Sequence, residues 1–400
     1  MRAVYLDNNA TTRVDPEVVN AMLPYFTEQF GNASSMHAFG GDVGTAIKRA
    51  RASIQALLGA EHDHEIVFTS GGTESDNSAI LSALETQAGR DEVVTSAVEH
   101  PAILALCKYL SDTRGIKVHY VPVDARGRLD LDVYRKVVGP KTAICSIMWA
   151  NNETGTIFPV EQLAEIAHQA GALFHTDAVQ AVGKIAIDLK ATQIDMLSLS
   201  GHKLHAPKGI GALYVRRGVR FRPTLRGGHQ ERGRRAGTEN APGIIGLGRA
   251  AELALANMTV EQTRVRELRD QLEAGLLQRI EKCMVAGDPD HRLPNTSNIA
   301  FEYIEGEAIL LLLNRAGIAA SSGSACTSGS LEPSHVLRAM NIPYTAAHGA
   351  IRFSLSRETT REDVEAVLEA MPPIIAKLRE ISPFWREGEG GKGAFKPAYA

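Results

Sequence analysis

Five stretches of this sequence place reactive side chains just where apolar, strand-like runs give out. Ser200-Gly201-His202-Lys203 puts a lysine at a run's end behind a glycine, where the amine can reach into a crevice and lose its proton when desolvated. His175-Thr176-Asp177-Ala178-Val179-Gln180 ends another run in a carboxylate, with an amide three residues on. Ser70-Gly71-Gly72-Thr73-Glu74-Ser75 joins a strand to a helix through glycines, and such a turn offers backbone N–H groups and a helix N-terminus to a phosphate. His100, in Ala97-Val98-Glu99-His100-Pro101, and Asn152, in Asn151-Asn152-Glu153-Thr154-Gly155, follow two further runs.

Each feature alone has an ordinary explanation: an exposed lysine, a helix-capping aspartate, a structural histidine. Together they suit one cofactor. Pyridoxal phosphate needs an amine to hold its aldehyde, a buried carboxylate against its pyridine nitrogen, a flat group to stack on its ring and a cradle for its phosphate. Lys203, Asp177, His100 and the Gly72-Thr73 turn supply these in turn, and Gln180 could donate to the ring's phenolic oxygen. The glycine turn matches neither the Walker A pattern nor the dinucleotide fingerprint, which argues against a nucleotide.

These stretches must be carried by a frame. From Glu65 to Val215 short apolar runs alternate with amphipathic stretches, predicting a mainly parallel sheet covered on both faces. Expected strands are Glu65–Thr69, Val93–Ala97, Val118–Val121, Thr142–Met148, Ala172–Thr176, Met196–Ser200 and Gly211–Val215. In open α/β sheets, ligands bind beyond the strands' C-terminal ends. After the Gly-rich stretch 227–248 the pattern changes to a long charged helix, about Val260–Lys282, then strands near Asn298–Tyr303, Ile318–Ala320 and Gly349–Ser354 and a helix from about Arg361 to Ile381. That predicts a large domain over 16–256, a smaller α+β domain made of 1–15 with 257–384, and a flexible tail over 385–400. Ser321 to Ser330 is a run of small residues too polar to pack, and it reads as a mobile loop (321–333) carrying one thiol, Cys326.

Composition bounds the partners. With 400 residues, 44% of them hydrophobic, the chain can bury a substantial core. A formal net charge of −3 leaves no broad basic field for nucleic acid. No apolar run reaches membrane-spanning length, and Met1 to Asp7 reads straight into a strand without a signal region. The four cysteines, Cys107, Cys145, Cys283 and Cys326, lack CxxC or Cys/His ligand spacing, so neither a disulfide framework nor a zinc site is expected and a reducing cytoplasm fits best. Cys107, Cys145 and Cys283 read as core fillers.

From Tyr5-Leu-Asp-Asn-Asn-Ala-Thr-Thr12 to about Ser356 the chain resembles the fold-type-I pyridoxal-phosphate enzymes and, within them, the cysteine desulfurases. Gly31-Asn-Ala-Ser-Ser-Met-His-Ala-Phe-Gly40 and Ser322-Gly-Ser-Ala-Cys-Thr327 are most similar to the nitrogen-fixation class. The resemblance implies that Lys203 is the Schiff-base lysine, that Asp177 pairs with the pyridine nitrogen and that His100 stacks on the ring and helps move protons. It implies that Gln180 and Asn152 flank the phenolic oxygen, and that Gly72, Thr73, Ser200 and His202 hold the phosphate. Thr238, in Arg235-Ala-Gly-Thr238, would complete that phosphate site from the neighbouring subunit of a homodimer.

Arg352, in Ile351-Arg-Phe-Ser354, occupies the position that binds the carboxylate of the substrate L-cysteine, beside Asn152. Cys326 occupies the persulfide position, from which sulfur would pass to an iron–sulfur scaffold protein serving nitrogenase maturation. No resident metal is implied, Cys326 making at most a passing contact with an iron–sulfur cluster. Two rival readings share parts of this set: a selenocysteine lyase or aminotransferase of the same fold, which would not depend on Cys326, and a non-enzymatic sulfur carrier, which would need neither Lys203 nor Asp177.

Overall fold

The computed structural model describes residues 3–322 and 333–388. Thirteen strands form three sheets among these residues. After β1 (Val4–Tyr5), the strands β2 (Ile66–Thr69), β3 (Glu92–Ser96), β4 (Lys117–Val121), β5 (Thr142–Ser146), β6 (Leu173–Asp177), β7 (Met196–Ser200) and β8 (Gly211–Val215) make one seven-stranded sheet in the order β2-β8-β7-β6-β5-β3-β4. Neighbours from β7 through β4 pair in parallel, while β8 runs antiparallel to both β7 and β2. All seven expected strands are present, with ends displaced by at most two residues.

The near-continuous apolar character of these strands follows from burial on both faces. In β2, Ile66 and Phe68 enter one core while Val67 enters the other; Leu197 and Met196 of β7 divide the same way. The helices Gly72–Thr86 and Pro101–Arg114 cover one face, and Ala38–Leu58, Val160–Gln169 and Ala241–Ala256 the other.

The remaining strands are β9 (Cys283–Val285), β10 (Thr296–Phe301), β11 (Ile318–Ala319), β12 (Ser321–Ser322) and β13 (Ala350–Ser354). Four of them form an antiparallel sheet in the order β12-β13-β10-β9, and β11 instead pairs in parallel with β1. A second core, including Leu6, Leu272, Phe301, Phe353 and Met371, lies between this sheet and the helices Arg266–Arg279 and Arg361–Ile381. The N-terminal strand therefore packs with the C-terminal part of the chain, and Asp7 is bridged to Ser354.

Three expectations need correction. The single helix expected over 260–282 is broken by a wider π turn at Glu261–Val265 and ends at Arg279, which frees residues 283–285 to form β9. Ser321 and Ser322, expected in a loop, pair with β13. Residues 385–388, expected in a flexible tail over 385–400, belong to the helix Pro383–Gly388, which sets Trp385 under the Arg379 guanidinium, 4.3 Å from ring to cation, and against Tyr303; the rest of that expected tail lies outside the described residues. Cys107 and Cys145 are buried and Cys283 is half-buried, its thiol donating to the Ile280 carbonyl. No helix among the described residues is long and apolar enough to cross a membrane. Cys326 lies outside the described residues.

Candidate active site

Because β2, β3, β5, β6 and β7 run the same way, their C-terminal ends open on one edge of the sheet, and the chain leaving each end contributes to a single cavity of about 1080 Å³. Lys203, Asp177, Gln180, His100, Asn152, Ser200, His202, Gly72, Thr73 and Arg352 all line it. Thr238 does not; it is an exposed residue between Gly237 and the helix Ala241–Ala256.

Lys203 lies on the short helical turn Gly201–Lys203 that follows β7, and its ammonium donates to the carbonyls of Asn9 (2.5 Å) and Ala10 (2.6 Å). Burial, with Lys184 and Arg352 nearby, brings its pKa down to about 7, against an opposing pull from Asp7 and Asp177. This amine therefore gives up its proton more readily than an ordinary lysine. Asp177 ends β6, and one oxygen accepts from the Val179 amide at 2.9 Å. Burial raises its pKa, against the Val179 amide and Lys203, which favour the charged form.

At the other end, Gly72 opens the helix Gly72–Thr86 so close to the next loop that a Cβ there would meet Val179 Cγ2 at 2.8 Å. This tight turn exposes the helix's first amides to the cavity, as a phosphate requires. His202 bonds Thr11 at 3.2 Å, and burial beside Lys203 and Lys208 drops its pKa to about 4, so it meets an anion as a neutral donor. His100 caps the helix Pro101–Arg114: its Nδ1 accepts from the Ala102 amide at 3.1 Å, which fixes the ring plane at the cavity wall. Burial and Lys203 lower its pKa.

Gln180 donates from Nε2 to the Asn9 carbonyl (3.0 Å), while its Oε1 is buried without a partner. Such an orphaned polar atom in a cavity wall is expected where a polar group of a ligand belongs. A desolvated amine, a buried carboxylate, a ring-sized imidazole wall, an orphaned amide and a glycine cradle thus fit pyridoxal phosphate in shape and in charge.

Across the cavity, Arg352 comes from β13. It donates to the Asn152 carbonyl (3.1 Å) and to the Asp7 carboxylate (2.8 Å), and its Nε is buried without a partner. The guanidinium is thus held in place with one donor to spare. Ser322 and Pro333, the described residues flanking 323–332, both line the same cavity.

Sequence reasoning passed over several buried acids. Asp76 sits one turn into the phosphate helix, 3.7 Å from His175 and with one oxygen unpartnered; burial and nearby Asp177 raise its pKa. Glu99 accepts from Ser96 (2.6 Å) and the Met148 amide (2.9 Å), and burial lifts its pKa to about 8. Glu153 accepts from Ser334 at 2.6 Å and is raised by burial to about 7. Glu99 and Glu153 lie inside motifs already singled out and Asp76 directly follows one, but only packing shows that they are buried.

A family model described as aminotransferase class V matches residues 4–367. A cysteine desulfurase of Gluconacetobacter diazotrophicus is 75% identical over 400 residues, covering all of both chains. Cysteine desulfurase NifS of Azotobacter vinelandii is 67% identical over 404 aligned positions, again covering both chains completely. Among solved structures, a NifS-like protein superposes with a TM-score of 0.88 at 39% identity, covering 94% of this chain and 100% of its own. DndA from Streptomyces lividans gives 0.74 at 40% identity, covering 86% of this chain and 97% of its own.

The chain belongs to the class-V aminotransferase family, the pyridoxal-phosphate-dependent enzymes of fold type I. Within it, the chain groups with the cysteine desulfurases.

Proposed function

We propose that this enzyme removes sulfur from L-cysteine, leaving L-alanine and a persulfide on Cys326, and passes the sulfur to a scaffold protein for iron–sulfur cluster assembly, most specifically for nitrogenase maturation. The observation that carries this reading is the joint placement of Lys203, Asp177 and Arg352 on one cavity whose rim is formed in part by Ser322 and Pro333, the two residues between which the Cys326 segment runs. The names of the most similar relatives support the chemistry, and the name NifS supports the nitrogen-fixation role.

Pyridoxal phosphate, when bound, supplies the electron sink for charge left on the amino acid's carbon atoms. The chain's own residues do the rest. Lys203 holds the cofactor covalently at rest and, once freed by the substrate amine, takes and returns protons at the substrate carbons, aided by His100. Asp177 keeps the ring nitrogen protonated; Gln180 and Asn152 flank the phenolic oxygen; Gly72, Thr73, Ser200 and His202 hold the phosphate. Arg352, with Asn152, orients the substrate carboxylate. The Cys326 thiolate would attack the substrate sulfur: an S–S bond forms as the carbon–sulfur bond breaks, the electron pair stays with the substrate carbon, whose charge the bound cofactor would stabilise, and a proton delivered to that carbon completes L-alanine.

Thr238 is read as completing the phosphate site of a second copy, in a homodimer. Its exposed position outside the cavity of its own chain supports this, as do the exposed apolar side chains Leu23, Phe26, Phe30, Met36 and Phe39 along the N-terminal helical stretch. The division into 16–256 and 1–15 with 257–384 and a cytoplasmic setting complete the reading; buried free thiols at Cys107 and Cys145 are in keeping with a reducing compartment.

Mass spectrometry after brief exposure to L-cysteine tests the proposal. One sulfur atom should be added to the peptide containing Cys326, and Cys326→Ala should stop sulfide production while the yellow colour of the bound cofactor persists. Sulfide production retained in that variant would favour a lyase or aminotransferase that works without this thiol.

A further inference from the structure

Lys184 is a buried lysine with no part in the chemistry above, and a buried ammonium needs a physical reason. It lies four residues after Gln180 and donates to the Gln180 carbonyl at 3.0 Å. The turn carrying it is pressed against the segment of Lys203: a Cβ on Gly183, whose φ is 79°, would lie 2.5 Å from Leu204 Cδ2. Lys184 and Lys203 line one small internal cavity of about 20 Å³ together with His205, Glu261 and Arg357. That is room for about one water molecule.

We propose that Lys184 is a positioning residue: its buried ammonium, bonded to a neutral carbonyl and lying on the same small cavity as Lys203, keeps the Lys203 amine reactive. The inference rests on the reading of Lys203 as the working amine.

The other charges around the two lysines show why Lys184 is the effective one. Arg352 is paired with Asp7 at 2.8 Å, and Arg357 with Asp15 at 2.7 Å, so each cation's field is largely cancelled close to its source. His202, His205 and His100 are all shifted toward their neutral forms by burial. Asp177 and Asp7 pull the other way, favouring the charged lysine. Lys184 instead bonds a neutral carbonyl, while Glu261, on the same cavity, has an oxygen with no hydrogen-bond partner and a pKa raised by burial.

Glu261 is directed inward at the π turn, a local widening of the helix that places a carboxylate where a regular helix would not. After burial, Lys184 is the largest influence lowering the Lys203 pKa; burial brings Lys184 itself down to about 8, a fall that Glu261 opposes, so Lys184 is still mainly charged at pH 7. A second cation beside a desolvated lysine is a recognised way to make an amine nucleophilic at neutral pH.

The test follows the amine itself, independently of turnover. Full-length protein freed of cofactor is pulsed with acetic anhydride over a range of pH, and acetylation of Lys203 is read by peptide mass spectrometry with surface Lys108 as reference. Lys184→Met should move the Lys203 midpoint upward by about one pH unit, leaving about tenfold less neutral amine at pH 7. Lys184→Arg, which keeps the charge, should restore the low midpoint. Glu261→Gln, which lets Lys184 lose its proton more easily, should give a smaller upward shift.

The acid limb of kcat/KM in the holoenzyme should follow the same order, which a purely structural role would not produce. A Lys203 labelling curve in Lys184→Met that superimposes on that of the parent overturns the proposal. Should that variant fail to fold, an unmoved curve in Glu261→Gln does so instead. Borohydride reduction of the holoenzyme separates the two readings: cofactor fixed to a lysine other than Lys203 would refute the assignment of the working amine, whatever the labelling curves show.

Discussion

The two walls of the active-site cavity treat charge in opposite ways. On the wall built by the strand ends of the seven-stranded sheet, groups are buried without a full counter-charge and drift toward neutrality: Lys203 falls to about 7, His202 to about 4, and Glu99 climbs to about 8. On the wall built by β13, the buried Arg352 is paired with a carboxylate, Asp7, and in the chain after it Arg357 is paired with Asp15. Uncompensated burial makes groups that exchange protons near neutral pH, whereas compensated burial makes fixed charges suited to holding a substrate. On the proposed reading, the chemistry belongs to the first wall and recognition to the second.

Substitutions on each wall should therefore fail in different ways. Lys203→Ala breaks the first wall at its centre. Turnover should fall by about 10²–10⁴-fold, the range for losing a group that transfers protons, and the covalently bound cofactor should be lost from the visible spectrum. Residual turnover close to that of the parent would mean that another amine does the work.

Arg352→Gln attacks the second wall and should have a smaller effect, since it removes binding rather than proton transfer. A charge-assisted bond is worth about 1.5–3 kcal/mol, so kcat/KM for L-cysteine should drop by about 10–100-fold, carried mainly by KM. A fall in kcat at unchanged KM would instead place Arg352 with the chemical step.

The same division marks what the sequence disclosed. Asp177, His100 and Lys203 were legible because apolar runs with helical stretches between them predict parallel strands, and parallel strands must deliver their ends to one edge. The seven strands followed for the same reason. Charge compensation was not legible in this way. Asp7 meets Arg352 across 345 residues of chain, and Glu261 shares a cavity with Lys184 from the start of a π turn in a helix whose periodicity looks continuous. β12 is two serines, with nothing apolar to announce a strand. Trp385 carries the final helix through a contact with Arg379 that its polar neighbourhood does not suggest. Cys326, the residue most telling in the sequence, lies outside the described residues.

The contrast is sharpest for Glu99, which sits behind the first wall, fully buried, with one oxygen bonded to Ser96 and Met148 and the other unpartnered. Its pKa rises from 4.5 to about 8 on folding, chiefly by burial. The folded state therefore holds this proton more tightly than the unfolded chain. The stabilisation is complete below about pH 4.5 and is lost progressively as pH climbs toward 8. Glu99→Gln keeps the acceptor oxygen but cannot ionise, so it should remove this slope. Between pH 5.5 and 8 the parent should lose on the order of 3 kcal/mol more stability than the variant, seen as a smaller fall in Tm for Glu99→Gln. Turnover at pH 7 should change far less than in the two preceding variants. Parallel Tm profiles for parent and variant would mean that Glu99 is ionised in the folded protein and that the first wall contains a counter-charge after all.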